Sequence, residues 1–300
     1  MYVFNDVLNN AISNTYNQSL SGNVVITEYN ASPISDEIIQ VTRDSAPVSL
    51  DANVNSNTGD SIGESGWYEN FYTIPQSVFA ADGIYNIYVS SEDGSQNTPE
   101  MTKENIYNSQ NELAGKDASF IIDATKPQIV NVYSDDVELS GDQVIANAES
   151  LTINYEISDN IAIDTITIYK GAKDTNPEII KMDEVISGKS ENGKSDNYSS
   201  FSGSITVENG FNEDEIIFKI VDKAGNVINT SSDAPDKEKY DLGEFTFLNN
   251  VTVDTNPFVL WYANKPLFWG SIGALAAIII GVFLVVYLKK RKNNNDEEKA

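Results

Sequence analysis

The segment Gly188–Ser195 has the spacing G-x-x-x-x-G-K-S of a phosphate-binding loop. In such a loop a strand precedes the glycines and a helix follows them, so that backbone N–H groups and the helix dipole meet the phosphates. Here the next residues, 196–201 (DNYSSF), are a poor helix start and predict that the loop leads into a strand. The sequence therefore favours a surface loop over a nucleotide site.

Acidic residues recur where predicted strands start or end, and calcium prefers several carboxylate and carbonyl oxygens at one point. These positions are Asp159, Asn160 and Asp164 near one strand start, Asp93 and Asp222 at equivalent turns, and Asp123 and Asp254 at equivalent strand ends. No D-x-D-x-D-G loop occurs, and acidic side chains usually face water. Solvated acidic loops are the default interpretation and calcium binding the alternative, so the sequence assigns no metal ligand.

The composition of the 300 residues limits the available chemistry. The chain has no His and no Cys, which excludes histidine-dependent catalysis, imidazole-ligated zinc, thiolate chemistry and disulfides within it. Acids this abundant form pairs by chance, and there is no Asp-Thr-Gly motif to support an acid dyad. A net charge of −26 opposes nucleic-acid binding. We therefore assign no catalytic or cofactor-binding residue and expect a non-enzymatic protein that binds no cofactor, nucleotide or nucleic acid.

One segment, Leu267–Leu288, has 22 residues without a charge. At 1.5 Å per residue, a helix of this length spans about 33 Å, which is enough to cross a bilayer core. Trp261, Tyr262 and Trp269 flank one end and Tyr287 the other, where aromatic rings prefer the headgroup region. The sequence predicts a single-pass transmembrane helix in the cell membrane.

The basic run Lys289–Lys292 follows this helix directly, so the positive-inside rule predicts a cytoplasmic tail, 289–300, and an extracellular N-terminal part. Such a topology requires export, yet the first residues lack a signal peptide's basic and apolar regions, so we expect that the true N-terminus is missing. There is no Leu-Pro-x-Thr-Gly, which favours a permanent anchor over a cleaved sorting signal. The spacing of Gly273, Ala277 and Gly281 raises the hypothesis of a weak homodimer through this helix.

Before the helix, short runs of alternating apolar residues are separated by Gly, Asn, Asp, Ser and Pro, which is typical of strands and turns. The chain also contains an internal repeat: Val3 matches Val132, Asn97 matches Asn226 and Asp123 matches Asp254, at offsets of 129 to 131 residues. A nearly constant offset over separate matches indicates two tandem domains of one architecture.

Each copy has about seven strand-like runs, which suits a two-sheet antiparallel sandwich of the immunoglobulin type. The fold class is therefore all-β, with two tandem Ig-like β-sandwich domains followed by one transmembrane α-helix. The expected boundaries are 1–125 for the first domain, which starts within a strand, and 126–257 for the second. A juxtamembrane linker (258–266), the helix (267–288) and the tail (289–300) follow. Predicted core residues are Trp67, Tyr68, Phe71, Phe79 and Tyr85 in the first domain and Tyr155, Ile166, Phe201, Phe211 and Phe218 in the second.

The run Asp222–Asn226 (DKAGN), which follows an apolar strand, and the strand-end pattern Asp-x-Thr-x-Pro at 123–127 resemble the bacterial immunoglobulin-like repeats of large Gram-positive surface proteins. The resemblance covers nearly the whole chain before the helix and implies surface display, with adhesion or stalk roles. The first copy departs from it with EDGSQN at 92–97, and the second shortens the strand end to DTNP at 254–257. These motifs mark the fold more than an activity.

Two functions remain open. In one, the Ig-like modules are a stalk or adhesion domains that bind an extracellular protein or glycan, with the lipid bilayer contacted through the C-terminal helix. In the other, the chain is the membrane-proximal part of a larger surface protein whose N-terminal domain carries catalysis or ligand binding. An exposed aromatic patch on one copy only would favour binding; Trp67, Tyr68 and Tyr72 are the candidates.

Overall fold

A computed structural model describes residues 1–50, 55–57, 66–139, 143–190, 193–231, 248 and 250–297, with side chains up to residue 290 except at 55–57. The first group of strands comprises β1 (Tyr2–Phe4), β2 (Tyr16–Asn17), β3 (Val24–Asn30), β4 (Ile34–Arg43), β5 (Ala46–Pro47), β6 (Asn55–Asn57), β7 (Tyr68–Ile74), β8 (Gly83–Asp93), β9 (Ile106–Tyr107) and β10 (Ser119–Ile122). The second group comprises β11 (Gln128–Tyr133), β12 (Val144–Ala146), β13 (Ser150–Ser158), β14 (Ile163–Lys170), β15 (Glu178–Lys181), β16 (Gly193–Lys194), β17 (Ser200–Glu208), β18 (Phe211–Asp214), β19 (Ile216–Asp222), β20 (Val227–Asn229) and β21 (Val251–Val253).

The first sandwich has two sheets, with strand orders β6-β7-β3-β1-β9 and β2-β10-β8-β4-β5. The N-terminal strand is divided between them: β1 pairs antiparallel with β3 in one sheet, and β2 pairs parallel with β10 in the other. Helix α1 (Asp6–Asn14) connects the two halves, and its Leu8, Ala11 and Ile12 are buried. A first strand shared between the two sheets of an antiparallel sandwich is typical of the immunoglobulin fold.

The second sandwich repeats this plan. Its first sheet has the order β11-β13-β17-β16, and its second is described as β15-β14-β19-β20 together with β12-β21-β18. Only Glu215 separates β18 from β19, so these two short sheets share one long strand. The parallel pairing of β12 with β21 corresponds to that of β2 with β10. The predicted all-β class with two Ig-like sandwiches and a C-terminal apolar helix is confirmed.

Among the residues that the structure describes, the buried side chains form two separate clusters, one within residues 2–122 and the other within residues 129–253. Strand β3 shows why these segments form half-buried strands: its inward residues Val24, Ile26, Glu28 and Asn30 are buried, and those between them are not. Among the predicted core residues, the following are buried: Phe79, Tyr85, Tyr155, Ile166, Phe201 and Phe218.

Two predicted core residues are at the surface. Trp67 is 49% exposed and Phe71 is 37% exposed, so the prediction for both was wrong. The reason is the register of β7, in which Asn70, Tyr72 and Ile74 face inward and Phe71 points outward. Tyr68 and Phe211 lie at intermediate depth.

The C-terminal part is helical. The segment 258–266, expected to be a linker, overlaps helix α3 (Pro257–Ala263), in which the Phe258 N–H donates to the side chain of Asn256. Helix α4 (Lys265–Glu297) follows and includes the predicted span; over Lys265–Lys290 it is long and apolar enough to cross a membrane. Helix α2 (Met182–Ile186) lies between β15 and β16.

Candidate metal centre

Three aspartates meet where the two sandwiches join. Asp123 follows β10 directly, Asp159 follows β13, and Asp222 is the last residue of β19. Because β13 and β19 end at the pole of the second sandwich where β11 begins, their ends lie next to the chain that arrives from the first sandwich. The junction thus combines one carboxylate from the segment that connects the two sandwiches, 123–127, with two carboxylates from the second sandwich.

One carboxylate oxygen of each of these three residues lies within 4.8 Å of the others. Asp123 is completely buried, and its Oδ2 atom accepts no hydrogen bond from the residues that the structure describes; the same holds for the buried Oδ1 of Asp159. A buried polar atom without a partner costs about 1–3 kcal/mol, and more when it is charged. Two such oxygens in one cluster therefore indicate a ligand that they would bind.

The backbone holds the other oxygens of Asp123 and Asp159. Asp159 Oδ2 accepts hydrogen bonds from the Ile161 N–H (2.8 Å) and the Ala162 N–H (2.6 Å), which fixes its carboxylate. Asp123 Oδ1 accepts a bond from the Thr125 N–H at 3.2 Å. Each carboxylate thus uses one oxygen for its own turn and leaves the other without a partner in the described part of the chain.

Asn226 ties Asp222 to the connecting segment. Its backbone N–H and its Nδ2 donate to the two carboxylate oxygens of Asp222 at 2.8 Å and 2.7 Å. The same Nδ2 atom donates to the carbonyl of Asp123 at 2.8 Å and to that of Thr125 at 3.3 Å. Through Asn226, the loop Asp222–Asn226 therefore positions the Asp222 carboxylate and also binds the backbone of the connecting segment.

A fourth acid, Asp82 of the first sandwich, flanks the cluster. Its Oδ1 accepts the Ala124 N–H at 2.8 Å, and its Oδ2 accepts Asn160 Nδ2 of the second sandwich at 2.8 Å. Although burial opposes it, these hydrogen bonds and those from Thr125 lower the pKa of Asp82. Asp82 therefore contributes a fixed negative charge to the junction.

The pKa values of the three clustered acids, Asp123, Asp159 and Asp222, are raised above their ordinary values. Burial, followed by the charges of Asp159, Asp222 and Asp82, raises the pKa of Asp123 to about 7. Burial also raises the pKa of Asp159 and of Asp222, against the hydrogen bonds from their own turns. Lys223, next to Asp222 in the chain, directs its Nζ to Asp183 (2.9 Å) and Asp164 (3.8 Å). The cluster favours an added positive charge, either protons or a cation.

The donors identify the kind of cation. All candidate ligands are carboxylate oxygens, with carbonyls of the connecting segment nearby, and hard cations prefer such a set. Calcium binds oxygen at about 2.3–2.6 Å, so two of its ligands lie at most about 5 Å apart, which accommodates the spacing of this cluster. Magnesium requires near-ideal octahedral geometry and usually keeps several of its waters, so a site made of protein oxygens suits it less well.

The structure brings together only part of the acidic set seen in the sequence. Asp123, Asp159 and Asp222 meet, and Asn160 reaches the same junction through Asp82, which the sequence had not singled out. The other three positions lie elsewhere: Asp93 caps its own loop in the first sandwich, Asp164 faces Lys223, and Asp254 binds the Asn256 N–H at 2.7 Å near α3.

The phosphate-loop pattern has a structural explanation. Gly188 has φ +71° and ends α2, with its N–H bonded to the Val185 carbonyl and the Lys189 N–H bonded to the Glu184 carbonyl. A Cβ atom on Gly193 would lie 2.2 Å from Phe201 Cζ. The predicted strand after the loop is confirmed as β17, and no helix N-terminus follows Ser195 within residues 195–208.

No protein-family model and no curated protein matches this sequence. Similar solved structures include the IG1 and IG2 domains of DIP-gamma, at 10% identity, 80% coverage of this chain, 92% coverage of that chain and a TM-score of 0.33. Others are a chimeric titin Z1Z2-Z1Z2 tandem (11% identity, 80% and 93% coverage, TM-score 0.20) and the ectodomain of a teleost fish polymeric Ig receptor (11%, 80% and 94%, 0.22). At these TM-scores the fold class rests on the strand pairing described above. The chain is an immunoglobulin-like two-sandwich protein with a candidate membrane helix.

Proposed function

We propose that this chain is a non-enzymatic, membrane-anchored surface protein whose two Ig-like domains, 1–125 and 126–257, form a stalk stiffened by calcium at their junction. Helix α4 anchors it once in the cell membrane, with the sandwiches outside and the tail 289–300 in the cytoplasm. The basic residues that follow the apolar span support this orientation. Display on a Gram-positive surface agrees with the resemblance of the DKAGN run to bacterial Ig-like repeats.

The observation that supports the calcium stalk best is the unpartnered Oδ2 of Asp123, buried beside Asp159 and Asp222. In the absence of a cation, such a group must take up a proton or leave negative charges close together. An ion bound there neutralises the repulsion and links the connecting segment to two loops of the second sandwich. The angle between the domains then becomes fixed, which is what a stalk needs.

The experiment uses the absence of cysteine in the chain. Donor and acceptor dyes are attached to the full-length protein in nanodiscs through Ile38→Cys and Ile179→Cys, both at exposed positions, one in each sandwich. Calcium is expected to narrow the distribution of distances between the dyes and to raise the unfolding temperature. A calcium concentration 100 times the Kd corresponds to about 2.7 kcal/mol of stabilisation. Magnesium at the same concentration should have less effect.

Two matched variants locate the effect. Asp222→Asn and Asp93→Asn make the same change in equivalent loops, but only Asp222 belongs to the acidic cluster. The calcium response should disappear in Asp222→Asn and remain in Asp93→Asn. If calcium changes neither the distances nor the unfolding temperature of the unmutated protein, the stalk proposal is refuted.

The exposed aromatic residues of the first sandwich favour a second function, ligand binding. Trp67 directly precedes β7, and Phe71 lies on the outer face of that strand, opposite Thr27. The equivalent strand of the second sandwich, β17, has Ser202, Ser204 and Thr206 at its outward positions. The described outward positions of β17 thus carry no aromatic ring like Phe71, although Tyr133 of β11 is exposed in the second sandwich. Exposed aromatic rings fit an extracellular protein or glycan ligand. Loss of binding to intact cells or matrix in Trp67→Ala, with unchanged stability, would support this role.

A further inference from the structure

The short helix α3 carries an exposed aromatic face between the second sandwich and the candidate membrane helix. Phe258 is 78% exposed and Tyr262 is 52% exposed, and their spacing of four residues places them on one side of α3. Ala263, at the end of α3, is buried against the sandwich. The helix thus has its end buried against protein and carries an exposed aromatic face.

Helix α3 is fixed to the second sandwich. Gln143 Nε2 donates a hydrogen bond to the Ala263 carbonyl, and Lys265 forms an ion pair with Glu213. The Lys265 ammonium also lies 3.7 Å from the centroid of the Tyr262 ring, a favourable cation–π contact. These contacts on both sides of the 263–265 bend keep α3 from moving freely relative to the sandwich.

Helix α3 is also fixed to the first two turns of α4. Trp261 Nε1 donates to Ser271 Oγ at 3.0 Å, and the Phe268 ring packs edge-on against Trp261 (4.8 Å) and Tyr262 (5.1 Å). If the 22 residues Leu267–Leu288 fill a hydrocarbon core of about 30 Å, residues 267–271 lie at its outer boundary. Since α3 contacts this stretch, it lies at the same depth.

We infer that α3 lies in the interface of the outer leaflet, with Phe258 and Tyr262 in contact with lipid, and that it holds the second sandwich at a fixed orientation on the membrane. The lipid surface is the occupant that fits, because the exposed face continues directly into the apolar span. Aromatic rings are favoured at this depth. Phe258 and Tyr262 also line the cleft between α3 and the sandwich edge at Asn212 and Glu213, which offers room for lipid.

This inference rests on the proposed membrane anchoring, and the experiment separates the two. Single cysteines are introduced at Phe258, at Ile279 in the middle of α4, and at Ile179 on the exposed side of β15, and each is labelled with an environment-sensitive fluorophore. The full-length proteins are placed in phosphatidylcholine nanodiscs containing nitroxide lipids labelled either near the headgroup or deep in the acyl chain. We expect a blue shift and loss of fluorescence at 258 with the shallow nitroxide, quenching at 279 with the deep one, and neither at 179.

The other outcomes are distinct. A label at 258 as water-exposed as the label at 179, with 279 still quenched, overturns the inference and leaves the anchoring intact. Absence of quenching at both 258 and 279 refutes the anchoring as well. A label at 258 that is blue-shifted but not quenched by either nitroxide lies away from both water and lipid. This result would show that a second copy covers α3, and it also overturns the inference. A variant with Trp67→Phe and Trp269→Phe leaves Trp261 as the only tryptophan, and brominated lipid should then quench its native fluorescence without any label.

Discussion

Asp222 and Asp93 are held by the same hydrogen bonds in equivalent loops, yet their pKa values move in opposite directions. Asp93 accepts the Asn97 N–H (2.9 Å) and Asn97 Nδ2 (2.8 Å), as Asp222 does from Asn226. The Asn97 hydrogen bonds lower the pKa of Asp93 to about 2, whereas burial and the charge of Asp159 raise the pKa of Asp222. The loop is thus a shared element of both sandwiches. Only the copy at the domain junction, which contains Asp222, lies beside another carboxylate, that of Asp159, which raises the pKa of its aspartate.

The first prediction concerns pH. Burial raises the pKa of Asp123 from the ordinary value of 3.8 to about 7 in the folded protein. Between about pH 4 and 7 the folded protein therefore holds a proton on Asp123, whereas the unfolded chain has released it. Without divalent cations, the free energy of unfolding should therefore fall as pH rises from about 4 to 7. One pKa unit corresponds to about 1.4 kcal/mol, so the fall is expected to reach a few kcal/mol. Urea unfolding with a chelator at several pH values measures it.

Asp123→Asn is the control for this prediction, because it removes the titrating group and should flatten the slope. Excess calcium should raise the stability most at high pH, where the carboxylates are ionised and can bind it. A free energy of unfolding that rises over the same interval without calcium, or a slope that is unchanged in Asp123→Asn, would contradict the assignment.

The second prediction concerns Asn226. Asn226→Ala removes the Nδ2 donor that reaches Asp222 and the carbonyls of Asp123 and Thr125, so the domain junction should loosen. Hydrogen bonds to charged groups contribute about 1.5–3 kcal/mol, and we expect a loss of stability of that size together with a wider distribution of interdomain distances. Asn97→Ala, the matched change in the first sandwich, should cost similar stability and leave the distances unchanged. Equal distributions of interdomain distances in the two variants would show that the Asn226 hydrogen bonds do not hold the domain junction.

The sequence predicted the repeat, the sandwich class and the apolar helix because strand alternation and a constant offset are local, periodic signals. It missed α1, although the buried Leu8, Ala11 and Ile12 have helical spacing, because their neighbours are mostly polar and the helix is short. The acidic cluster is different in kind. Asp123 and Asp222 are 99 residues apart, and only the strand order places both ends at one pole. In the first copy Tyr29 stands where Asp159 stands in the second, so the repeat itself did not mark the site.

The third prediction concerns a carboxylate inside the first sandwich. Glu28 is completely buried and accepts hydrogen bonds from the Tyr72 hydroxyl and from Ser91 Oγ (2.7 Å). Tyr72→Phe removes one donor and leaves the buried carboxylate less solvated, which should cost about 1.5–3 kcal/mol. Tyr29→Phe removes a similar bond to Glu69 (2.7 Å) nearer the surface and should cost less than about 1 kcal/mol. Denaturant unfolding of the two variants tests the difference, and equal losses would contradict it.

The fourth prediction follows from the register of β7. Phe71→Ala should change the free energy of unfolding by less than about 1 kcal/mol, because its ring lies on the outer face of the sheet. Phe79→Ala should cost about 3–5 kcal/mol, because its ring packs against Tyr85 (5.2 Å between centroids) and Phe120 (5.4 Å) in the core. If the two variants lose the same stability, the outward placement of Phe71 is incorrect.

The last prediction separates structure from nucleotide binding in the segment Gly188–Ser195. A Cβ atom on Gly193 would lie 2.2 Å from Phe201 Cζ and 2.5 Å from the Ser202 carbonyl, so Gly193→Ala should cost about 1–3 kcal/mol through overpacking. Lys194 is exposed, and Lys194→Ala should change the stability by less than about 0.5 kcal/mol. In a phosphate-binding loop the lysine contacts the phosphates, so nucleotide binding would depend on Lys194. ATP with magnesium should therefore leave the unfolding temperature of the unmutated protein unchanged, and a stabilisation that is lost in Lys194→Ala would show that the segment binds nucleotide after all.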